Sequence, residues 1–331
     1  MKPDDVPRGI LKAASVLFGV GVELRRRGYD RGSLPVHRVD GLRVISVGNL
    51  RAGGSGKTPV AEHICRRITA RGLRAVMISR GYGGAMENTG GLVSSGEGPV
   101  VDPALSGDEA HEVARRLGGV QVRVGADRVA QCREARRSGA RVAVLDDGFQ
   151  HRRLWRDLDI LLVCPRDLSE ETALLPLGPL REPPAAAARA DLVAGLAGDW
   201  EGQNGAPPVL FEISRTGLID AAGDRPASAP KRVWLAAGIA RPERFATTAR
   251  EARFEIAGAT FFPDHHRFAP RDLDRMSRLA GDSGAEAILT TEKDMSRLMG
   301  TDVGFPLFAL GVEARPVAGE ALLEEALSGV L

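Results

Sequence analysis

The sequence predicts an α/β fold: a parallel β-sheet flanked by helices, followed by a second, smaller α/β domain. Two observations support this prediction. Apolar runs rich in Val, Ile and Leu alternate with amphipathic stretches along the chain, and a glycine-rich turn follows the first of these runs. Strands that alternate with helices form parallel sheets with both faces covered. Such sheets bind ligands at the carboxyl ends of their strands.

The composition limits the possible classes of protein. A chain of 331 residues is long enough for two α/β domains, and 43% hydrophobic with 27% charged residues is typical of a globular protein. The net charge of +2 and the aromatic content of 5% argue against a nucleic-acid-binding protein. Cys65, Cys132 and Cys164 are too widely spaced for a metal site, and we interpret them as buried reduced thiols.

The N-terminal segment Ile10–Leu24 is largely apolar and is followed by Arg25, Arg26 and Arg27. It is shorter than the roughly 20 residues that span a bilayer. It also ends in arginines instead of the small residues of a signal-peptide cleavage site. Two interpretations stay open: a buried first helix that packs on the core, and an amphipathic helix on an anionic membrane surface.

The first domain alternates strands with helices. Its predicted strands are Arg43–Val47, Ala75–Ser79, Val142–Leu145, Ile160–Cys164 and Leu192–Gly195. Its predicted helices are Val60–Arg71, Glu109–Leu117 and Asp127–Ser138.

After about Leu196 the chain becomes rich in Gly, Pro, Ala and Asp, and we predict loops around a linking strand at Val209–Ser214. A second alternation follows, with strands at Val233–Ala237, Thr260–Phe262, Ala287–Thr290 and Pro306–Leu310 and helices from about Pro242 and at Pro270–Ser283. The predicted division is an N-terminal helical segment (1–40), a nucleotide-binding domain (41–208), linker strands (209–232) and a smaller C-terminal α/β domain (233–331).

The turn Gly48–Thr58 (GNLRAGGSGKT) lies directly after the first strand, and Pro59 opens a helix. Backbone N–H groups of such a turn and of the helix N-terminus favour bound phosphate. Lys57 would contact the β/γ-phosphates, and the Thr58 hydroxyl would hold Mg²⁺. The P-loop pattern G-x-x-x-x-G-K-[ST] expects glycine where this chain has Arg51, so a structural turn is the alternative. The predicted nucleotide-binding residues are Gly53, Gly54, Ser55, Gly56, Lys57 and Thr58.

Asp146 and Asp147 follow the strand Val142–Leu145. An Asp that ends a strand beside a P-loop orients Mg²⁺ in many NTPases, and we predict this role for one of the pair. An Asp-Asp-Gly turn is the alternative. Gln150 and His151 then fall where they could face bound phosphates.

Three further segments carry candidate groups. Asp108, in the sequence Ser-Gly-Asp-Glu, is either a helix-capping residue or a base for phosphoryl transfer, and the residues alone favour capping. His265 follows a strand within Pro-Asp-His-His, where structural and functional roles are equally favoured. Arg181, held with Glu182 in a Gly-Pro turn, could bind phosphate, as could Arg80 after the second strand. In both cases a surface ion pair is the alternative.

The segment Thr290–Asp294 (TTEKD) differs from the guanine-binding Asn-Lys-x-Asp, because Glu292 replaces Asn and Asp294 directly follows Lys293. GTP specificity is therefore unsupported, which argues against a P-loop GTPase switch. A non-catalytic, ATP-binding membrane adaptor is the other alternative, and it predicts that Asp108→Ala leaves function intact.

Taken together, these segments resemble the tetraacyldisaccharide 4′-kinase (lipid A 4′-kinase) family. The matching pieces run in order along almost the whole chain: VGNL…GGSGKTP, ISRGYGG, GDE, LDDGFQH, LPLGPLREP, AGIARP..F, FPDHH and TTEKD. The loop with Arg51 also agrees, because the family departs from the P-loop pattern there.

The resemblance implies an enzyme that uses ATP and Mg²⁺ to phosphorylate the 4′-hydroxyl of a tetraacylated glucosamine disaccharide 1-phosphate in lipid A biosynthesis. It implies a peripheral position on the cytoplasmic face of the bacterial inner membrane, with an anionic membrane surface as partner. No nucleic acid is expected as a partner, on the composition described above. It therefore favours the membrane-surface interpretation of the N-terminus.

The resemblance also assigns residues. The base of the GDE motif falls on Asp108, which reverses the preference for capping, and its assisting histidine falls on His265. The family's P-loop residues fall on Lys57 and Thr58. Its paired acids fall on Asp146 and Asp147, and the arginine and glutamate of its LREP motif on Arg181 and Glu182. We expect Asp108, His265, Lys57 and Arg181 to be the catalytic residues, with Thr58 and the paired acids at the metal. We also expect the cleft between the domains to close over ATP before chemistry.

Overall fold

The structure is a computed structural model that describes residues 7–53, 56–220, 226, 228–239, 242–263, 266–298 and 301–331, with only the backbone of Arg215, Thr216 and Arg244. Three of the predicted site residues, Gly54, Ser55 and His265, lie outside the described residues.

Within the described residues, twelve strands form one sheet in the order β10-β9-β11-β12-β8-β7-β6-β1-β5-β2-β4-β3. The strands are β1 Arg43–Asn49, β2 Ala75–Ser79, β3 Gly91–Ser94, β4 Gln121–Val124, β5 Val142–Asp146, β6 Leu158–Leu162, β7 Leu192–Leu196, β8 Val209–Asp220, β9 Arg232–Ala237, β10 Glu255–Phe261, β11 Ala287–Thr291 and β12 Leu307–Ala318. All neighbouring pairs are parallel except β3–β4 and β8–β12. The predicted α/β fold with a mostly parallel sheet is therefore confirmed.

The helices are α1 Arg8–Asp30, α2 Lys57–Ala70, α3 Met86–Thr89, α4 Pro103–Ser106, α5 Asp108–Arg116, α6 Arg128–Arg137, α7 Ala197–Trp200, α8 Pro242–Glu251, α9 Pro270–Asp282, α10 Glu292–Leu298 and α11 Glu320–Ser328. Two 3-10 helices cover Pro165–Leu168 and Pro184–Arg189.

The central strands are buried on both faces because their side chains alternate between two helical layers. Ile45 and Val47 of β1 face one core, to which α2 and α5 contribute Ile64 and Val113. Val44 of the same strand faces the other core with α6. These two layers place the carboxyl ends of β1, β2 and β5 at one edge of the sheet, where the predicted site lies.

The second strand-helix alternation continues the same sheet. β8 and β12, of twelve residues each, pair antiparallel and join β7 on one side to β11 on the other. The strands β9–β11 and helices α8 and α9 have hydrophobic clusters of their own.

The last helix, α11, lies in the predicted C-terminal domain but packs Leu323 and Leu327 on the core of the first half. The division into domains stays a prediction.

Helix α1 packs along one side only. The Ser15 hydroxyl donates to the Leu174 carbonyl oxygen (2.9 Å), and Arg152 bonds to Asp30 (2.8 Å) near the end of the helix. Much of its remaining apolar surface is exposed, including 73% of Leu17 and 63% of Leu24. In the part of the chain that the structure describes, no helix has the length and apolar character needed to cross a membrane.

Candidate active site

The predicted phosphate-binding turn joins the end of β1 to the start of α2. Gly53 and Gly56 adopt positive φ angles of 98° and 75°, which favour glycine. The first residue of α2 is Lys57, whose Nζ donates to the Gly53 carbonyl oxygen over 3.3 Å and so folds back across the turn. Among the described residues, no side chain caps the N-terminus of this 14-residue helix. Its N–H groups and dipole therefore remain suited to an anion.

Arg51 explains why the turn departs from the P-loop pattern. Its Nε lies 2.7 Å from Oδ1 of Asp167, which is 1% exposed. The other oxygen of Asp167 accepts the backbone N–H of Cys164 (3.0 Å). Position 51 therefore belongs to a buried ion pair that fixes the entry to the turn.

The LPLGPLREP segment is held against this turn by backbone hydrogen bonds. The Ala52 N–H donates to the Pro179 carbonyl oxygen (2.8 Å), and the Arg181 N–H donates to that of Leu50 (2.7 Å). This pairing carries the Arg181 side chain to the edge of the site. The sequence indicated Arg181 as a candidate phosphate contact but did not indicate the backbone pairing.

Asp146, at the end of β5, accepts a 2.8 Å hydrogen bond at Oδ2 from the Thr58 hydroxyl. Its Oδ1 is buried and has no hydrogen-bond partner among the described residues. Burial raises the pKa of this carboxyl to about 7, against the opposing effects of Lys57 and the Thr58 hydroxyl. A carboxylate oxygen without a partner beside a threonine hydroxyl is a donor set that fits Mg²⁺. The described residues contain no group of three or more His, Cys, Asp or Glu side chains arranged to hold a metal.

Asp147 has a different environment from its neighbour. Its φ angle is 59°, and its side chain lies between Arg181 (Nη1 to Oδ2, 2.6 Å) and Lys57 (Nζ to Oδ1, 3.4 Å). Burial acts to raise the pKa of Asp147, but Lys57 and Arg181 outweigh it and hold the pKa below its usual range. Asp147 is therefore an ionised carboxylate that links Lys57 to Arg181.

Two other candidates lie in structural ion pairs, and a third is a neutral histidine. Glu182 forms a two-pronged pair with Arg189 (2.6 and 3.2 Å) and does not pair with Arg181, which contacts Asp147. Arg80 is exposed and donates to Glu87 (2.6 Å). His151 is half-buried, and desolvation lowers its pKa to about 4, so it is neutral near pH 7.

Asp108 is the first residue of α5 and contacts the C-terminal half of the chain. Its Oδ2 accepts a 2.8 Å hydrogen bond from Nε of Arg297, in α10. The next residue, Glu109, lines a small cavity together with Ser79 and Asp146. The GDE motif therefore lies beside the end of β5 and the Thr58–Asp146 pair.

The glycines of the RGYGG loop allow this arrangement. A Cβ atom on Gly84 would lie 2.4 Å from the backbone nitrogen of Gly107, and one on Gly81 would lie 3.1 Å from the Ser106 carbonyl oxygen. The loop after β2 therefore packs directly on the turn that presents Asp108. Sequence reasoning missed this role, although three glycines within four residues of Arg80 were a signal of close backbone approach.

Known proteins are similar to this chain along almost its whole length. A sequence model of the family described as Tetraacyldisaccharide-1-P 4'-kinase matches residues 8–331. The chain is 40% identical to a Tetraacyldisaccharide 4'-kinase from Anaeromyxobacter dehalogenans (strain 2CP-C), covering 97% of this chain and 92% of that protein. It is 37% identical to the protein of that name from Geobacter sulfurreducens, covering 97% and 93%.

Among solved structures, the crystal structure of LpxK from Aquifex aeolicus in complex with ATP matches with a TM-score of 0.82. The two chains are 28% identical, and the match covers 98% of this chain and 99% of that one. The family model covers residues 8–331 and these curated relatives are 37–40% identical over nearly their full length, so the chain belongs to the tetraacyldisaccharide-1-P 4'-kinase family.

Proposed function

We propose that this protein transfers the γ-phosphoryl group of ATP to the 4′-hydroxyl of a tetraacylated glucosamine disaccharide 1-phosphate, a step of lipid A biosynthesis. The observation that carries the proposal is the position of Asp146. It bonds to Thr58 of the phosphate-binding turn and shares a cavity with Glu109 of the GDE motif. These contacts support a phosphate site and a candidate base at the same edge of the sheet.

Phosphoryl transfer requires mainly positioning and charge neutralisation from the protein. We assign the phosphate contacts to the backbone of Gly53–Gly56 and to Lys57, with Arg181 as a second cation. Bound Mg²⁺ would supply charge neutralisation at the phosphates of ATP. Thr58 and Asp146 would hold the ion. Oδ1 of Asp146 and Oδ1 of Asp147 both lack a hydrogen-bond partner among the described residues. In Asp147, however, Oδ1 lies 3.4 Å from the Lys57 Nζ and Oδ2 accepts from Arg181, so both of its oxygens face cations.

We assign the acceptor side to Asp108 as general base. As the acceptor oxygen attacks the γ-phosphorus, its proton passes to the Asp108 carboxylate. The bond from the γ-phosphorus to the bridging oxygen breaks, and ADP leaves with the electron pair. The assisting role of His265 rests on the family resemblance. Because Arg297 of the C-terminal half contacts Asp108, closure of a cleft between the two halves fits this assignment.

We also propose that α1 binds the membrane from the cytoplasmic face. A substrate with four acyl chains stays in the bilayer, since each buried CH₂ contributes about 0.8 kcal/mol. Ile10, Leu17 and Leu24 are spaced seven residues apart, which places them on one face of the helix, and all three are at least 59% exposed. Arg26 and Arg27 both bond to Glu23, so apolar contact is the stronger argument for this surface.

The test is incubation of the purified protein with Mg²⁺, ATP and the tetraacyl disaccharide 1-phosphate, followed by mass spectrometry. The expected result is a gain of one phosphate on the non-reducing sugar. GTP in place of ATP should react poorly, because no guanine-binding motif is present. Retained ATP binding without any phosphorylated disaccharide would instead favour a non-catalytic ATP-binding adaptor.

A further inference from the structure

The TTEKD segment has no part in the proposed reaction, yet its charged side chains contact α5. This segment ends β11 and begins α10. Glu292 bonds to Arg116 of α5 (2.8 Å), and Arg116 also pairs with Glu62 of α2. Lys293 lies 3.4 Å from Glu109. Helix α10 is therefore fixed against the helix that begins with Asp108.

One turn after the motif, Arg297 is bound on three sides. Its side chain is 6% exposed, and its Nε donates to Asp108 (2.8 Å). Its Nη1 donates to Asp294 (2.9 Å) and to the Gly238 carbonyl oxygen (3.3 Å). A guanidinium presents its donors in a rigid plane, so these contacts fix its orientation.

Asp294 is itself held in place. It is fully buried, and its Oδ2 accepts hydrogen bonds from the Gly238 N–H (2.9 Å) and the Thr291 hydroxyl (2.8 Å). These hydrogen bonds and the cation partner fix the buried Asp294 carboxylate in place, so it can hold the Arg297 guanidinium. The structure thus contains a chain of contacts from the end of β11 through Asp294 and Arg297 to Asp108.

We propose that Arg297, supported by Asp294, is a positioning residue that orients the Asp108 carboxylate toward the acceptor hydroxyl. This inference rests on the proposed function. Arg297 binds Oδ2, so the proton of the attacking hydroxyl is taken up at Oδ1 while the bond to the γ-phosphorus forms. The base lies in the first half of the chain and its support in the second, so the orientation of the base depends on the packing of α10 against α5.

The first test compares Arg297→Ala and Arg297→Lys with the unchanged protein, using the mass-spectrometric kinase assay. We expect Arg297→Ala to lower kcat about 10- to 100-fold, because small errors in placing a catalytic group have effects of this size. KM for ATP should change less than about twofold, and Arg297→Lys should recover part of the loss. Arg315→Ala is the matched control, because Arg315 also pairs with a carboxylate (Glu313) in the C-terminal half but is mostly exposed.

The second test repeats Arg297→Ala in an Asp108→Asn background. If Arg297 acts through Asp108, the further loss of kcat should be less than about twofold, because residues that act as a unit are not additive. An equal loss in both backgrounds, or an unchanged kcat in the first test, overturns the proposal. If Arg297→Ala does not fold, the double variant Asp294→Asn/Arg297→Gln removes both buried charges together and is judged by the same criteria.

The two proposals fail in different ways. No phosphorylated disaccharide from the unchanged protein contradicts the proposed function. An active unchanged protein that is insensitive to Arg297 variants contradicts this inference alone.

Discussion

The Thr58 hydroxyl donates a 2.8 Å hydrogen bond to Asp146 and joins the first turn of α2 to the end of β5 across 88 residues of sequence. The second oxygen of Asp146 is buried without a hydrogen-bond partner among the described residues. A buried carboxylate in that state destabilises the fold unless a cation is present. The feature that suits Asp146 to bind a metal therefore reduces the stability of the metal-free protein.

Asp146→Asn should stabilise the metal-free protein at pH 8 and abolish its Mg²⁺-dependent activity. The pKa of Asp146 is about 7 when folded, against an ordinary value of 3.8. Between about pH 4 and 7 the folded chain binds more protons than the unfolded chain, so its free energy of unfolding falls as pH rises. Asparagine carries no charge, so the substitution removes the free-energy cost of burying an ionised carboxylate. Tm at pH 8 should therefore rise by about 3–8 °C in thermal unfolding without Mg²⁺.

The same measurement at pH 5 is the internal control, because Asp146 is then protonated in the folded chain and Asn should change Tm much less. Adding Mg²⁺ at pH 8 should raise Tm of the unchanged protein but not of Asp146→Asn. A lower Tm for Asp146→Asn at pH 8 would contradict the assignment.

Asp108→Asn should lower kcat about 10²- to 10⁴-fold, the usual contribution of a general base. Its nucleotide affinity should stay within about twofold of the unchanged protein, because the Asp108 carboxylate bonds to Arg297 of α10. Lys57→Ala is the informative comparison, since it should weaken ATP binding as well as turnover. Phosphorylated product and ATP titrations measure the two effects separately. Full activity of Asp108→Asn would favour a purely structural role for Asp108 in the first turn of α5.

Apolar runs were sufficient to predict the buried central strands, and the bounds of β2 agree with the prediction to the residue. The short strands β3 (GLVS) and β4 (QVRV) were missed because four residues with polar positions give no apolar run. β8 and β12 extend well beyond the predicted strands. The outer parts of these two strands are only partly buried, so apolar and polar residues alternate there. They therefore lack the continuous apolar run from which strands were predicted.

At the site, the sequence predicted the residues that follow strands but not their long-range partners. Arg51 and Asp167 lie 116 residues apart, and Asp108 and Arg297 lie 189 apart. No local pattern marks such pairs, because they form only when separate strands of one sheet bring their loops together. The sequence indicated Arg181 as a phosphate ligand but not its contact with Asp147. That contact depends on the backbone hydrogen bonds that hold the LPLGPLREP segment against the turn.

Leu17→Glu combined with Leu24→Glu should weaken binding to vesicles that contain anionic lipid by at least about tenfold, because two apolar side chains are lost from the membrane contact. Vesicle co-sedimentation measures the change. Val100→Glu is the control, because Val100 is similarly exposed (62%) but lies outside α1. Activity on detergent-dispersed substrate should stay within about twofold. Unchanged sedimentation of the double variant would remove α1 from the membrane contact.

Arg51→Gly would bring the turn closer to the P-loop pattern, yet it should destabilise this protein. Asp167 is 1% exposed and would lose the cation that lies 2.7 Å away. Removing one partner of a buried pair usually costs about 3–5 kcal/mol, because the other charge stays buried. We therefore expect a clearly lower Tm in thermal unfolding and weaker ATP binding through a less ordered turn. Adding Asp167→Asn removes the unpaired charge and should restore part of the lost stability. An unchanged Tm for Arg51→Gly would show that the ion pair does not fix the entry to the turn.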